Sequence, residues 1–518
     1  MNNFIKAMSK TANQTFTENG MPAVKSTTNS IVDLFGVIGS LRTRSEDEII
    51  DLFVKSYYED KLLTLKMLFY ARDIRGGLGE RRTFKIIAEY LANRDPETMK
   101  LNLHLIPEYG RWDDLYAFVG TKLEKDAFAL IAKQIMSDLE TVREAKKSGT
   151  YKPISLAAKW LKSIQSKSAA YSALAKLTAR EIGLYNPKGQ NVYEKYCLYT
   201  KAMSTLRAYL KITESYLSQK NVENIDFSKV PSLAMKKYKK AFMRHVPELY
   251  NQYLKDVESG KTEIKASALY PYDLIKPYLN TLWGWNNSFK SVDQTTELQW
   301  KALPNYVSGE NDFLVMPDLS GSMMTSNGRP MATSIGLAIY FAERNKGAYH
   351  NTCLSFSSEP SWITFNDNMN LSDKLRHLCC NANVGFSTNI EAAMQMILDS
   401  AVQNNLKSED LPKSLIIISD MEFDVLQRGS LRGNKNFYDV MSQRFEECGY
   451  TIPNIVFWNV DSRNNVFHID RNALGVQLAS GSHPSVFKSL IENISLTPYD
   501  MVVNTLNTAR YNVIKVAE

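Results

Sequence analysis

Up to about residue 300, apolar side chains recur every three or four positions, and the gaps between such runs are short. Ile49–Tyr58, Lys61–Ala71, Thr83–Ala92, Leu123–Met136 and Leu206–Leu217 carry this spacing, which lines apolar groups along one helix face. Turn chemistry separates the runs: Gly76-Gly77-Leu78-Gly79, Pro107-Glu108-Tyr109-Gly110 and Asn186-Pro187-Lys188-Gly189. Strand-like alternation is scarce here. Consecutive helix pairs of this kind predict a HEAT-like α-solenoid, with repeats too degenerate to hold a fixed period.

Beyond residue 305 the pattern changes. Phe313-Leu314-Val315-Met316-Pro317, Leu415–Ser419, Ile455–Phe457 and Gly475–Gly481 are short runs that read as strands. Met331–Arg344, Ile390–Leu398 and Ser485–Ile491 read as helices. Apolar strands alternating with helices predict a doubly wound α/β domain with a buried parallel sheet. The expected division is therefore 1–300 and 305–518, with the boundary between Trp285 and Asn311. A fragment starting near residue 305 is expected to melt cooperatively by itself.

Candidate chemistry sits at the ends of the apolar strands. Asp318-Leu319-Ser320-Gly321-Ser322 follows the first, and Asp420 follows the second. Between them, Gly385-Phe386-Ser387-Thr388-Asn389 opens a helix. Carboxylate and hydroxyl oxygens at the carboxyl ends of parallel strands suit a hard divalent cation. The set resembles the metal-ion-dependent adhesion site of the von Willebrand factor A fold. The resemblance implies one Mg²⁺ (or Mn²⁺) held by Asp318, Ser320, Ser322, Thr388 and Asp420, with an open position for a protein partner's carboxylate. Many members of that fold read Asp-Gly after the last strand, whereas this chain reads Asp420-Met421-Glu422. The Asp318 turn is expected to face solvent, so that Asp318→Ala removes the metal and spares the fold.

Charge adds a second theme. The chain carries a formal net charge of +7 over 518 residues. Residues 151–250 hold 18 Lys and Arg against 6 Asp and Glu, an excess larger than that of the whole chain. Hydroxyls and aromatics interleave with the cations from Ser155 to Lys167 and from Phe227 to His245, as a groove for an RNA backbone and loose bases requires. Charge clustering offers Arg72, Arg75, Arg81, Arg82, Lys159, Lys162, Lys236, Lys237, Lys239, Lys240 and Arg244 as RNA-binding residues. Lys236, Lys237, Lys239 and Lys240 fall within five residues, so on a helix they spread over more than one face. Arg72 to Arg82 is not a phosphate loop of the Walker kind, because no Gly-Lys-Ser/Thr follows its glycines.

The order of parts resembles the Ro autoantigen family, in which a helical TROVE module precedes a von Willebrand A domain. The Arg72 to Gly77 and Tyr109 to Asp114 stretches are similar to those of its less characterised bacterial, phage and plant relatives. The resemblance implies a helical ring closed by the A domain, with structured RNA on a basic outer face and single-stranded ends in the hole.

Other classes lose support. The five cysteines are scattered without a C-x-x-C pair, and the six histidines lack H-E-x-x-H spacing. No Gly-x-Ser-x-Gly elbow or G-x-G-x-x-G is present, so a binding protein rather than an enzyme is expected. No run approaches a membrane span, and the start lacks a signal-peptide core, giving the expectation of a cytoplasmic monomer. The competing reading is a metal-dependent protein-interaction scaffold that binds no RNA.

Overall fold

The computed structural model describes residues 8, 9, 11–282, 291–307, 312–355, 357, 359–381, 388–424, 437–469 and 473–518. The chain forms two compact units. The first comprises Met1–Met67, Gly76–Glu80 and Ala266–Asn512; the second comprises Leu68–Arg75, Arg81–Lys265 and Val513–Glu518.

Within the first unit, β1 (Gln14–Phe16) and β2 (Pro22–Val24) make an antiparallel hairpin. The main sheet contains β3 (Phe313–Pro317), β4 (Thr352–Leu354), β5 (Trp362–Thr364), β6 (Ser414–Ser419), β7 (Asn454–Asn459) and β8 (Val476–Ser480). Its order is β5-β4-β3-β6-β7-β8, parallel throughout except for β5 at the edge. Every residue of β3, β6 and β8 is buried, which is why β3 and the centre of β6 read as continuous apolar runs rather than as an alternation. The chain leaves β3 to build β4 and β5 on one side, then returns to place β6 on the other. That reversal makes the carboxyl ends of β3 and β6 a topological switch point, the place where ligands of open α/β sheets bind.

The linear division at residues 300–305 is not the one the packing draws. Asn29 caps the helix Ser30–Val37 through Val32 N–H at 2.9 Å, and this helix packs against β7 and β8. Ile31, Val32, Leu34, Phe35 and Val37 are buried on it, each stabilising by about 1.5–3 kcal/mol as an upper estimate. Gly39 lies so close to Ser480 that a Cβ there would stand 2.7 Å from the Ser480 carbonyl carbon and oxygen. The helix Pro271–Leu282 covers the helix Thr325–Arg344 that follows β3. The helices Ser30–Val37 and Pro271–Leu282 thus belong to the sheet unit. Ser308-Gly309 and Trp285, at the expected boundary, lie outside the described residues.

The second unit is helical. Arg82–Arg94, Pro96–Asn102, Glu124–Ser148, Ala169–Glu181, Val192–Tyr209, Ser232–His245 and Pro247–Glu258 are its main helices. Phe227, Phe242, Tyr250 and Tyr253 make an aromatic core with ring centroids 5.1–5.6 Å apart. The C-terminal tail joins this unit: Asn102 exchanges hydrogen bonds with the Lys515 backbone at 2.7 and 3.0 Å. The expected run Leu206–Leu217 is two helices rather than one. Lys211 adopts φ 51°, and the chain restarts as Thr213–Ser218. A left-handed residue ends a helix whatever the apolar spacing that continues past it.

These contacts reverse the expected behaviour of the fragment 305–518. Without the helices Ser30–Val37 and Pro271–Leu282, it exposes buried faces of β7, β8 and Thr325–Arg344. It is expected to melt without a cooperative transition, and co-expression with residues 12–67 and 266–304 is expected to restore one. A cooperative calorimetric melt of 305–518 alone would show that the covering helices are dispensable.

Candidate metal centre and basic residues

In register, Pro317 of β3 pairs with Ile418 of β6, so the residues just beyond these strand ends are brought side by side. Asp318 N–H donates to Ile418 O at 2.9 Å and seats the first carboxylate at the switch point. Asp318 is fully buried, not solvent-facing as its turn suggests. Its Oδ1 accepts from Ser320 N–H at 2.9 Å and its Oδ2 from the Ser419 hydroxyl at 2.5 Å. Ser320 and Ser322 hydroxyl oxygens lie 3.0 Å apart. Ser419 Oγ also reaches Asp420 Oδ1 at 3.5 Å and links the two carboxylates.

Burial first, and the Asp420 carboxylate second, push Asp318 up to about 7. Asp420 is 3% exposed, and its cation in this structure is Arg463. Arg463 Nη2 stands 2.7 Å from Asp420 Oδ2, and its Nη1 stands 2.9 Å from Glu18 Oε2. The hairpin turn between β1 and β2 is fastened to the same loop. Thr17 Oγ1 donates to Phe423 O at 2.6 Å, Glu18 N–H to Glu422 Oε2 at 2.6 Å, and Asn19 Nδ2 to Glu422 O at 2.7 Å. Asp461, raised by burial, accepts from Thr325 Oγ1 at 2.8 Å.

Met421 occupies the position at which the Asp-Gly reading places glycine, and it adopts φ 70°. The left-handed conformation disfavours a side chain with a Cβ. Here Ser419 Oγ holds Met421 N–H at 3.0 Å while His468 Nε2 lies 3.0 Å from Met421 O. The fold keeps the turn that glycine would make easily.

Thr388 is buried, with its hydroxyl 3.2 Å from Glu422 O and 3.3 Å from Asp424 Oδ1, and its N–H donating to Asp424 Oδ2 at 2.5 Å. Gly385-Phe386-Ser387, which precede it, lie outside the described residues. Among the described residues, no three or more His, Cys, Asp or Glu side chains are grouped so as to hold a metal ion. An ion here would depend on hydroxyls as well as acids. The set consists entirely of oxygens and carries two neighbouring carboxylates, which fits a hard divalent cation. Sequence reasoning missed Ser419, Glu18 and Arg463. Ser419 was visible as the hydroxyl next to Asp420; the other two have no local signal.

The basic residues divide sharply. Arg72 is buried and paired with Asp114 at 2.6 Å, so it cannot meet an outside phosphate. Arg81 pairs with both Asp113 and Asp114 at 2.7 Å, and Lys162 with Asp113 at 2.9 Å. Arg75 is exposed and donates to Glu108 O; Arg82 is exposed at the start of its helix. Lys159 is half-buried, 5.3 Å from the Trp160 ring centroid. On the helix Ser232–His245, Met235 and Phe242 are buried and Lys236 and Lys239 half-buried. Lys237, Lys240 and Arg244 are exposed at spacing i, i+3, i+7, one stripe of the helix.

Residues 17–129 and 123–310 match the family model described as "Domain of unknown function (DUF2828)", together more than half of the chain. The chain belongs to that family. In this DUF2828 protein, residues 312–512 also match the model "Domain of unknown function (DUF7788)", which spans the main sheet. It is 29% identical to "Uncharacterized protein L728" of Acanthamoeba polyphaga mimivirus over 96% of this chain and 87% of that protein. Among solved structures it is similar to the RO (RSR) protein of Deinococcus radiodurans, at 13% identity and a TM-score of 0.45, over 90% of this chain and 99% of that one. So loose a likeness carries no argument. No helix of the described residues is long and apolar enough to cross a membrane.

Replacing Arg463 by Met strands the buried Asp420 carboxylate. Breaking a buried pair costs about 3–5 kcal/mol when both partners are enclosed. Arg463 is 23% exposed, so a loss of about 1–3 kcal/mol is expected in chelator-containing buffer. Urea unfolding checks this, and an unchanged midpoint would mean that Arg463 is not the cation on which Asp420 depends.

Proposed function

We propose that this DUF2828 protein binds RNA through its helical unit and holds a partner's acidic group through a divalent ion on its sheet unit. The observation that carries the reading is the oxygen cluster of Asp318, Ser320, Ser322 and Asp420 at the switch point of the sheet. These residues would hold Mg²⁺ or Mn²⁺, with Thr388 joining from the neighbouring loop. When bound, the ion supplies an open position for a carboxylate. On this reading the cluster captures rather than catalyses.

RNA binding is supported by the exposed stripe Lys237, Lys240 and Arg244 and by the excess of cations over residues 151–250. Phosphate contacts of this kind supply affinity without base preference. On this reading the helical unit is a HEAT-like, TROVE-type module, and the protein is a Ro-like RNA binder. The protein-only scaffold is favoured by one observation: Glu18 and Glu422 crowd the metal loop with acids that would repel RNA there.

Electrophoretic mobility shift with single-stranded, duplex and hairpin RNAs tests the proposal. Neutralising Lys236, Lys237, Lys239 and Lys240 together is expected to weaken binding across unrelated sequences. The two or three lysines that contact phosphate should each flatten the slope of log K against log salt by roughly 0.7–0.9. Asp318→Asn is expected to bind RNA like the unaltered protein, because its carboxylate lies outside the helical unit. No shift with any RNA at low salt, combined with Mg²⁺-dependent capture of a protein partner, would establish the scaffold instead.

A further inference from the structure

Arg72 and three stretches distant in sequence converge within the helical unit: Arg81 to Lys85, Arg111 to Asp114, and Trp160 to Lys162. Two carboxylates, Asp113 and Asp114, lie at the centre and are 3% and 0% exposed at the side chain. Around them stand Arg72, Arg81, Lys85, Arg111 and Lys162. Asp114 holds Arg72 at 2.6 Å in the interior and Arg81 at 2.7 Å. Asp113 is left to serve Arg81 at 2.7 Å, Lys162 at 2.9 Å and Arg111 at 3.1 Å. Its carboxyl is held below the usual range despite burial, through Lys162, Arg81 and Arg111. Two acids thus face five cations, and three positive charges remain uncompensated within the cluster.

The excess is concentrated on the solvent side. Arg81, Arg111 and Lys162 keep 37%, 25% and 20% of their side chains exposed. The Arg111 guanidinium lies 4.2 Å from the Trp160 ring centroid, which fixes its orientation. Lys85 is one helical turn beyond Arg81, and its N–H donates to Arg81 O at 3.1 Å, so the two cations share a face. Lys85 is half-buried and makes no ion pair among the described residues. Burial first and Arg81 next hold its ammonium below the ordinary lysine value, against the opposing pull of Asp114 and Asp113. Like charges crowded in a half-buried place are destabilising unless an anion joins them.

We propose that this cluster is a phosphate-binding site, and that its natural occupant is a phosphodiester of single-stranded RNA. The proposal deepens the RNA-binding reading and, for the source of the phosphate, rests on it. Arg81 and Arg111 present planar forks suited to phosphate oxygens, and Lys85 and Lys162 add point charges. Asp113 and Asp114 position the cations and neutralise two of the five, which leaves the excess for phosphate. Arg72 acts only through Asp114.

Lys85→Gln in the full chain tests the site, because no carboxylate depends on Lys85 for its pairing and the variant is expected to fold. Removing the like charge is expected to raise the melting temperature slightly. The same variant is expected to bind a single-stranded RNA roughly fivefold more weakly at low salt, with the salt slope shallower by about 0.7. Inorganic phosphate is expected to raise the melting temperature of the unaltered protein above that in sodium chloride of equal ionic strength, and Lys85→Gln to lose that difference. Lys55→Gln, on an exposed helix face of the sheet unit, serves as the control. If Lys85→Gln binds RNA with unchanged affinity and slope, the site is overturned while the RNA reading survives. If the unaltered protein shifts no RNA yet phosphate still stabilises it through Lys85, the phosphate site is supported and RNA as its source is overturned. If phosphate acts on both proteins alike, the site is overturned whatever RNA does.

Discussion

Two carboxylates that cannot both be charged without help set the terms of the sheet unit. The parallel register of β3 and β6 places Asp318 and Asp420 just beyond neighbouring strand ends, and burial removes the water that would screen them. Ser419 bonds to both, Ser320 N–H supports the first, and Arg463 neutralises the second. Glu18, from the other end of the chain, holds the far side of Arg463. The switch point is therefore an electrostatic problem solved here with one arginine, and the divalent ion proposed above would be a second solution. Both solutions meet at Asp420.

The same contacts explain why the first residues of the chain fold with the last two hundred. The turn Thr17–Met21 closes over the loop after β6 through Thr17, Glu18 and Asn19. Gly20 bridges Asp424, and Val24 bridges Phe467. The helix Ser30–Val37 then covers β7 and β8, with Gly39 against Ser480. A sheet with this much apolar surface needs covers on its faces, and here some of them come from a segment more than four hundred residues away.

The legible parts of the sequence were those whose signal is local. β3 and β6 are unbroken apolar runs ending in Asp, and helices such as Lys61–Arg72 and Arg82–Arg94 show their spacing directly. Asp318, Ser320 and Ser322 were legible because a single turn carries all three. Partners were not. A helix such as Ser30–Val37 is apolar whichever unit it covers, so its allegiance to β8 could not be read from its own residues. Arg72 and Lys237 are equal in a charge count. One is buried on Asp114 and the other is exposed, a difference that only packing supplies. The end of the helix at Lys211 is likewise a backbone choice that apolar spacing does not record. Short strands such as β1, β2 and β4, three residues each, carry too little pattern to be seen.

The account rests on the claim that the Asp318–Asp420 pair is a divalent-cation site. Isothermal titration of metal-free protein with Mg²⁺, compared with Asp318→Asn, addresses it most directly. Asn keeps the shape and one acceptor of the buried side chain, so the fold is expected to persist while the charge is lost. The expected result is one Mg²⁺ per chain for the unaltered protein, of modest affinity because only two carboxylates contribute, and no measurable binding to Asp318→Asn. Equal uptake by the two proteins, or none by either at millimolar Mg²⁺, would contradict the claim.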